Sequence, residues 1–314
     1  MKILLVGKYP VGTKERFEQG WKGLDIELLP VSAEEFPKQN DCDMIILRGP
    51  KMPKDVIARF APRLKLIMRW GAGFDGVDVK AAREFGIDVC NTPGANAHAV
   101  AELAVGLMID IGRKVMCHQA DLKAGCINKY LNQSTTLHNK IVGIVGGGNI
   151  GRQTATRVQA FGAKTIYYDV FRLTPEMEEK FHLEFVDLDT LLKTAHIVSL
   201  HVPLTDDNHH MINAEVIKNM RDGAMIINAA RGGLMDDEAV LEAVSSGKLA
   251  GAGIDCPESE DIAMEQKLIS NPNIIVTPHI GGGVGDVGDN IIPMIVDNAK
   301  ALVAGESLKF VVNK

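Results

Sequence analysis

The chain has 314 residues, room for two domains of about 150 residues each. A hydrophobic share of 46% and a charged share of 24% exclude disorder over any long stretch. The net charge of −6, with no Lys/Arg run, argues against binding nucleic-acid phosphates or an anionic membrane.

The chain opens on MKILLVG, whose short apolar run predicts a strand at 3–6 and is too brief for a secretory signal. Further aliphatic runs predict strands at 44–47, 64–68, 87–90, 141–145, 165–168, 197–200, 225–228, 253–255 and 274–277. Helical patterns lie between most of them, at 77–85, 153–161, 188–194 and 237–245. Alternating strands and helices, with strands apolar throughout, predict an α/β protein. Its parallel sheets are covered on both faces and divided into two doubly wound domains. The stretch 95–116 is the most apolar, but His98, Glu102, Asp110 and Arg113 exclude a membrane span. It predicts one long helix from Ala97 to about His118, a crossover between domains. The tail predicts a helix over about 285–303 and a short strand at FVV. Periodicity leaves open whether that tail returns to the first domain.

Five scattered cysteines (Cys42, Cys90, Cys117, Cys126 and Cys256) include no C-x-x-C pair. That excludes a disulfide scaffold, gives no zinc ligand set and fits a reducing, cytoplasmic setting.

The segment KIVGIVGGGNIGRQTATRVQAFG runs a strand into Gly146-x-Gly148-x-x-Gly151 and then a helical pattern. Gly146 permits a tight turn, Gly148 lets backbone approach a pyrophosphate, and Gly151 lets helix pack on strand. The N–H groups near Asn149 and Ile150 add the positive end of the helix dipole. Asp169 ends the next strand, 18 positions after Gly151, where a carboxylate binds ribose hydroxyls and repels a 2′-phosphate. The spacing therefore predicts an NAD(H) site. Arg172 points the other way, since an arginine there can accommodate the phosphate of NADP.

Three polar groups follow apolar runs in the second half: Arg231 after MIINAA, Glu260 in GIDCPESE, and His279 after IIVTP. Loops at the carboxyl ends of parallel strands form the ligand crevice of an open α/β sheet. Reducing a 2-oxo acid needs a hydride, a proton donor and a cation for carbonyl and carboxylate. Histidine supplies the proton near neutral pH, a carboxylate orients it, and an arginine fork holds the anion.

The residues resemble the D-isomer-specific 2-hydroxyacid dehydrogenases. The matching segments run from about Arg48 to the C-terminus: RWGAGFDGVDVKAAREFGIDVCNTPGANAHAVAE, the glycine turn, SLHVPLT, MIINAARGGLMDDEAVLEAVSSGKLAGAGIDCPESE and NIIVTPHIGG. The resemblance implies catalysis by Arg231, Glu260 and His279. Glu260 stands five residues after Asp255, which leaves Glu258 as an exposed neighbour. It places Asp255, with His279 and Gly281, near the nicotinamide, and His201, Pro203, Ala229, Ala230 and Arg231 along the cofactor. His201 also reads as a buried structural histidine. The family's substrate clamp falls on Gly71, Ala72 and Gly73, whose backbone N–H groups form an anion-binding concavity. Asn96 stands near the site and Arg48 at the far end of the substrate; the plain alternative for Arg48 is a surface ion pair.

The resemblance implies a flavodoxin-like substrate domain, 1–97 plus 284–314, and an inserted Rossmann domain, 98–283. It also implies a homodimer through Ala97–Asn139. The chain departs from the family at Gly49, Gly76 and Gly283, and in DDNHH after LHVPLT, where spaced threonines are common. These departures touch the identity of the small 2-oxo/2-hydroxy acid, not the catalytic set. Formate dehydrogenases resemble the family but pair the histidine with glutamine, and Glu260 argues against them. The rival from another class is an NAD(H)-sensing protein of the co-repressor type.

Overall fold

The computed structural model describes residues 1–127, 133–258 and 262–314. The chain forms two compact units, residues 1–96 with 284–314, and residues 97–283.

The first unit holds β1 (Lys2–Val6), β2 (Glu27–Val31), β3 (Met44–Leu47), β4 (Leu66–Arg69) and β5 (Asp88–Cys90), all parallel in the order β2-β1-β3-β4-β5. Central β3 is buried at every residue, so its sequence is uniformly apolar. Edge strand β2 was not predicted. Glu27 and Pro30 break its apolar run, and only an edge strand tolerates such a proline. One face is covered by the helices Thr13–Gly20 and Gly288–Ala304, where Phe17 and Trp21 pack with Ile291, Ile295 and Ala299. Burying each such large side chain contributes about 1.5–3 kcal/mol. Trp21 Nε1 donates to the Val296 carbonyl at 3.4 Å, which ties the C-terminal helix to this unit.

The predicted FVV strand is not one. Phe310 has φ +60°, and only Val311 forms a bridge, antiparallel to Cys90. The Asn313 side chain then accepts from Val89 N–H and donates to the Ile87 carbonyl, both at 2.9 Å, where a strand backbone would have bonded.

The second unit holds β6 (Ile141–Val145), β7 (Lys164–Tyr168), β8 (Glu184–Phe185), β9 (Ile197–Leu200), β10 (Ala224–Asn228), β11 (Leu249–Ile254) and β12 (Ile274–Val276). The parallel order β12-β11-β10-β9-β6-β7-β8 is doubly wound and reverses at β6 and β9. The two-residue edge strand β8 was too short to be read from sequence.

The long helix predicted from Ala97 is two helices, Ala97–Arg113 and Val115–Lys123. They break at Lys114, which is left-handed at φ +55°. Lys114 is buried and donates to Asn273 Oδ1 at 2.6 Å, and burial lowers its pKa. One left-handed residue turns the chain. No helix among the described residues is long and apolar enough to cross a membrane.

Candidate active site

The glycine turn stands at the reversal point of the seven-stranded sheet. Gly146 follows β6 with φ +106°, and a Cβ there would lie 2.8 Å from the carbonyl carbon and oxygen of His201, which follows β9. At Gly151 a Cβ would lie 2.0 Å from the Gly146 carbonyl oxygen. Both positions therefore exclude a side chain, and the turn closes tightly on the helix Asn149–Ala160. A Cβ at Gly148 would meet nothing within 4 Å, which leaves the outer side of the turn open. The helix start carries no side-chain cap, so its first N–H groups face outward without a partner from the cap residue. This open, uncapped cradle fits a dinucleotide diphosphate.

Asp169 stands beside the cradle. Its Oδ2 accepts from Gly147 N–H at 2.7 Å and its Oδ1 from Phe171 N–H at 3.1 Å. Arg152, not singled out from sequence, donates to the Gly147 carbonyl at 2.7 Å and to Asn149 Oδ1 at 2.9 Å. Arg172 is held elsewhere. Its Nε and Nη2 form a fork on Glu178 at 2.9 and 3.0 Å, and its guanidinium lies 5.0 Å from the Phe185 ring centre. Arg172, with the Tyr167 hydroxyl, holds the Glu178 carboxyl down at about 2.

His201 Nε2 lies 2.9 Å from Ser199 Oγ, while Nδ1 is buried without a hydrogen-bond partner among the described residues. Desolvation pushes its pKa down to about 3, so the ring is neutral. An unfolded chain protonates this histidine near pH 6.5, whereas the folded chain does not until about pH 3. Stability should therefore fall as pH falls below about 6.5, by up to about 1.4 kcal/mol per pH unit for one proton. The partly buried His196 adds in the same direction. Urea unfolding at pH 7 and pH 5 tests this, and the pH dependence should be shallower in His201→Gln. An equal slope in that variant would remove His201 as the cause.

The strand ends β10, β11 and β12 lie side by side, with Asn228 opposite Ile254 and Ile254 opposite Val276. Arg231, Asp255 and His279 thus leave one edge of the sheet. Asp255 N–H donates to the Asn228 carbonyl at 2.9 Å, and Thr277 N–H to the Ile254 carbonyl at 2.9 Å. Asn228 is fully buried and sets the turn before Arg231: its Nδ2 donates to the Arg231 carbonyl at 2.7 Å, and its Oδ1 accepts from Ala230 N–H at 3.1 Å. Arg231 Nη1 donates to the Ala230 carbonyl at 2.7 Å. A Cβ on Gly232 would lie 2.4 Å from Glu258 Cα, so the Arg231 turn packs directly on the segment leading to Glu260. Glu260 itself lies outside the described residues.

Asp255 is buried and organises the histidine loop. Its Oδ1 accepts from Thr277 Oγ1 at 2.6 Å and Ile280 N–H at 2.8 Å, and its Oδ2 from Gly281 N–H at 2.8 Å. His279 N–H donates back to the Asp255 carbonyl at 2.7 Å. His279 is exposed and left-handed at φ +53°. Asp255→Asn puts an amide where a donor-facing oxygen stood and should cost about 1–3 kcal/mol of stability. Urea unfolding checks this, and an unchanged midpoint would mean that the loop is held by other contacts. Burial, then the Asp255 charge, pushes the Cys256 thiol up to about 12, which fits packing and not nucleophilic chemistry.

Ala229 and Ala230 are buried beneath this edge, and Pro203 is exposed beyond His201. Asn228 and Thr277 were not picked from the sequence. A polar residue closing an otherwise buried apolar strand is the signal that could have found Asn228.

In the first unit, Gly71 has φ +122°, and its N–H is taken by Thr92 Oγ1 at 2.9 Å. The expected concavity is thereby reduced to the N–H groups of Ala72 and Gly73. The loop is fixed by Asn91 Nδ2 on the Ala72 carbonyl at 2.7 Å and by Arg69 Nε on the Gly73 carbonyl at 3.2 Å. Asn96 Oδ1 is buried with no hydrogen-bond partner among the described residues. Arg48 Nη1 donates to the Lys8 carbonyl at 3.0 Å. Tyr9, unnoticed in the sequence, donates its hydroxyl to the Val6 and Ile46 carbonyls at 2.9 and 3.0 Å and packs edge-on against Trp70.

A doubly wound sheet with an open glycine turn, and polar loops gathered at its carboxyl edge, defines a dinucleotide-binding protein. Residues 105–281 match the model of the D-isomer specific 2-hydroxyacid dehydrogenase, NAD binding domain. The chain is 42% identical to hydroxypyruvate reductase of Thermotoga maritima, over 83% of this chain and 86% of that one. It is 36% identical to glyoxylate reductase of Thermococcus litoralis, over 86% and 83%. Among solved structures it resembles D-lactate dehydrogenase with NAD+ from Lactobacillus jensenii, at 31% identity, TM-score 0.81 and full coverage of both chains. The chain belongs to the D-isomer-specific 2-hydroxyacid dehydrogenase family. Its activity is that of an NAD-dependent D-2-hydroxyacid dehydrogenase, with NAD(H) as cofactor.

Proposed function

We propose that the chain reduces a small 2-oxo acid to the D-2-hydroxy acid, with Arg231, Glu260 and His279 as its catalytic set. The observation that carries this reading is the joined carboxyl edge of β10, β11 and β12, which brings the Arg231 and His279 loops together around Asp255. NADH supplies the hydride to the carbonyl carbon. His279 donates a ring N–H proton to the carbonyl oxygen as that oxygen gains charge. Glu260 takes the role of the carboxylate that orients the imidazole and fixes its tautomer. Arg231 holds the carboxylate and polarises the carbonyl. In the first unit, the family resemblance assigns substrate contact to the backbone N–H groups of Ala72 and Gly73. Asn96 and Arg48 are the candidates for the rest of the substrate.

The cofactor lies along Gly146, Gly148, Asn149, Ile150 and Gly151. Asp169 receives the adenosine ribose. His201, Pro203, Ala229, Ala230, Asp255 and Gly281 line the remainder. NAD(H) is preferred over NADP(H), because the Arg172 fork is engaged by Glu178 and a carboxylate stands at Asp169. The five cysteines are free, which suits a reducing cytoplasm. A homodimer forms through 97–139, where Val115, Met116, Leu122 and Ile127 expose apolar side chains.

The test is NADH and NADPH oxidation by the purified protein against 2-oxo acids. Glyoxylate and hydroxypyruvate come first, followed by pyruvate and then bulky aliphatic, aromatic and phosphorylated members. Turnover with NADH on one group is expected. A silent panel with NADH binding intact would overturn the reading in favour of an NAD(H) sensor.

A further inference from the structure

One polar cluster has no part in the proposed reaction. His209 and His210 lie in the loop after β9, and Glu258 lies in the segment after β11. His209 Nε2 is 2.9 Å from Glu258 Oε1, and His210 Nε2 is 2.6 Å from Oε2. The two rings stack with centres 4.0 Å apart, so both Nε2 atoms are turned to the same carboxylate. One ligand atom from each residue falls within a sphere of contact in which all three lie within 4.8 Å of one another. Adjacent residues rarely place their side chains together. Here His210 does so by adopting φ +51°, and its N–H is anchored on the Gly233 carbonyl at 2.7 Å. Glu258 is fixed from the other side, its N–H donating to Asp237 Oδ2 at 2.9 Å.

We propose that His209, His210 and Glu258 bind one divalent late first-row transition-metal cation, with zinc(II) as its representative. The donor set is two imidazoles and one carboxylate. It suits zinc, nickel or copper and not magnesium or calcium, which take oxygen ligands. In a tetrahedral site with bonds of about 2.0–2.2 Å, ligand atoms sit about 3.3 Å apart. The two histidine–carboxylate contacts are shorter than that, so the Glu258 carboxylate needs to draw back from both rings to admit the ion. The partial exposure of the three side chains (50%, 34% and 32%) gives both that freedom and an entry path. A tautomer shift that moves each hydrogen to Nδ1 frees both Nε2 lone pairs. Three protein ligands leave the fourth position to water. The bound ion would cross-link the loop after β9 to the segment that leads toward Glu260.

The inference goes beyond the proposed reaction and stands or falls without it. The experiment is a zinc chloride titration of the whole protein, followed by calorimetry against a competing chelator, with the thermal transition recorded at each step. The expected result is one zinc per chain, a higher transition temperature with zinc, and no response to magnesium. His209→Ala, His210→Ala and Glu258→Gln should each weaken uptake by roughly tenfold or more, with NADH binding retained as the check on folding. No uptake by the unaltered protein at about 100 μM zinc would overturn the proposal. Undiminished uptake in the three variants would also overturn it, because the ion would then sit elsewhere, for example on Cys126.

Discussion

Replacing His279 by alanine should lower turnover by about 10²–10⁴-fold while the distant glycine turn still takes NADH, because general acid catalysis, the role proposed for His279, supplies a factor of that size. The position sets its own control. His279 is left-handed, at φ +53°, and its N–H is bonded to the Asp255 and Thr277 carbonyls at 2.7 and 3.0 Å. Alanine in that conformation adds backbone strain, whereas asparagine visits it readily and cannot deliver a proton at neutral pH. His279→Asn should therefore lose as much turnover as His279→Ala while unfolding at the wild-type urea midpoint. A midpoint that falls together with activity would point to a collapsed loop. Near-normal turnover in either variant would remove His279 from the reaction.

The histidine was legible in the sequence and its support was not. A histidine after the apolar run IIVTP stands out, because a strand end in a parallel sheet is where ligands bind. Gly146 and Gly151 stand out for a related reason: the turn forbids any other residue there, so composition records geometry. Most of the strands were readable because burial on both faces demands unbroken apolar runs. The edges β2 and β8 escaped because exposure relaxes that demand. Asn228 and Thr277 escaped for a different reason. Each satisfies a buried partner that is distant in sequence or set by a turn, and polarity alone does not reveal the partner. The fork of Arg172 on Glu178 shows the same limit, since an arginine that reads as a phosphate ligand is already occupied once the chain folds. The hydroxyl of Thr92, likewise, takes an N–H that the glycine-rich loop alone would have assigned to substrate.

Gly232→Ala should cost about as much as losing a positioning contact, roughly 10²-fold in kcat, although glycine brings no reactive group. A Cβ at this position would stand 2.4 Å from Glu258 Cα, 2.5 Å from Glu258 N and 2.6 Å from the Pro257 carbonyl carbon. All three are backbone atoms, so no side chain can swing away to relieve the overlap. The Arg231 turn cannot retreat easily either, because buried Asn228 bonds the carbonyl of Arg231 and the N–H of Ala230. The displaced partner is then the 257–258 segment, which leads directly to Glu260. Misplacing a catalytic group by about 1 Å costs on the order of 10²-fold when the reaction depends on near-contact geometry. Asn228 holds the Ala230–Arg231 turn in place and the glycine turn at β6 is a separate part of the sheet, so NADH affinity should fall far less than kcat, and NADH titration of the variant checks it. Steady-state kinetics on the best 2-oxo acid supply the other half of the test. Lost turnover with intact NADH binding would tie Gly232 to the placement of the catalytic carboxylate. Unaltered kcat would mean that the 257–258 segment yields without moving Glu260, and the packing of the two loops would then have no catalytic purpose.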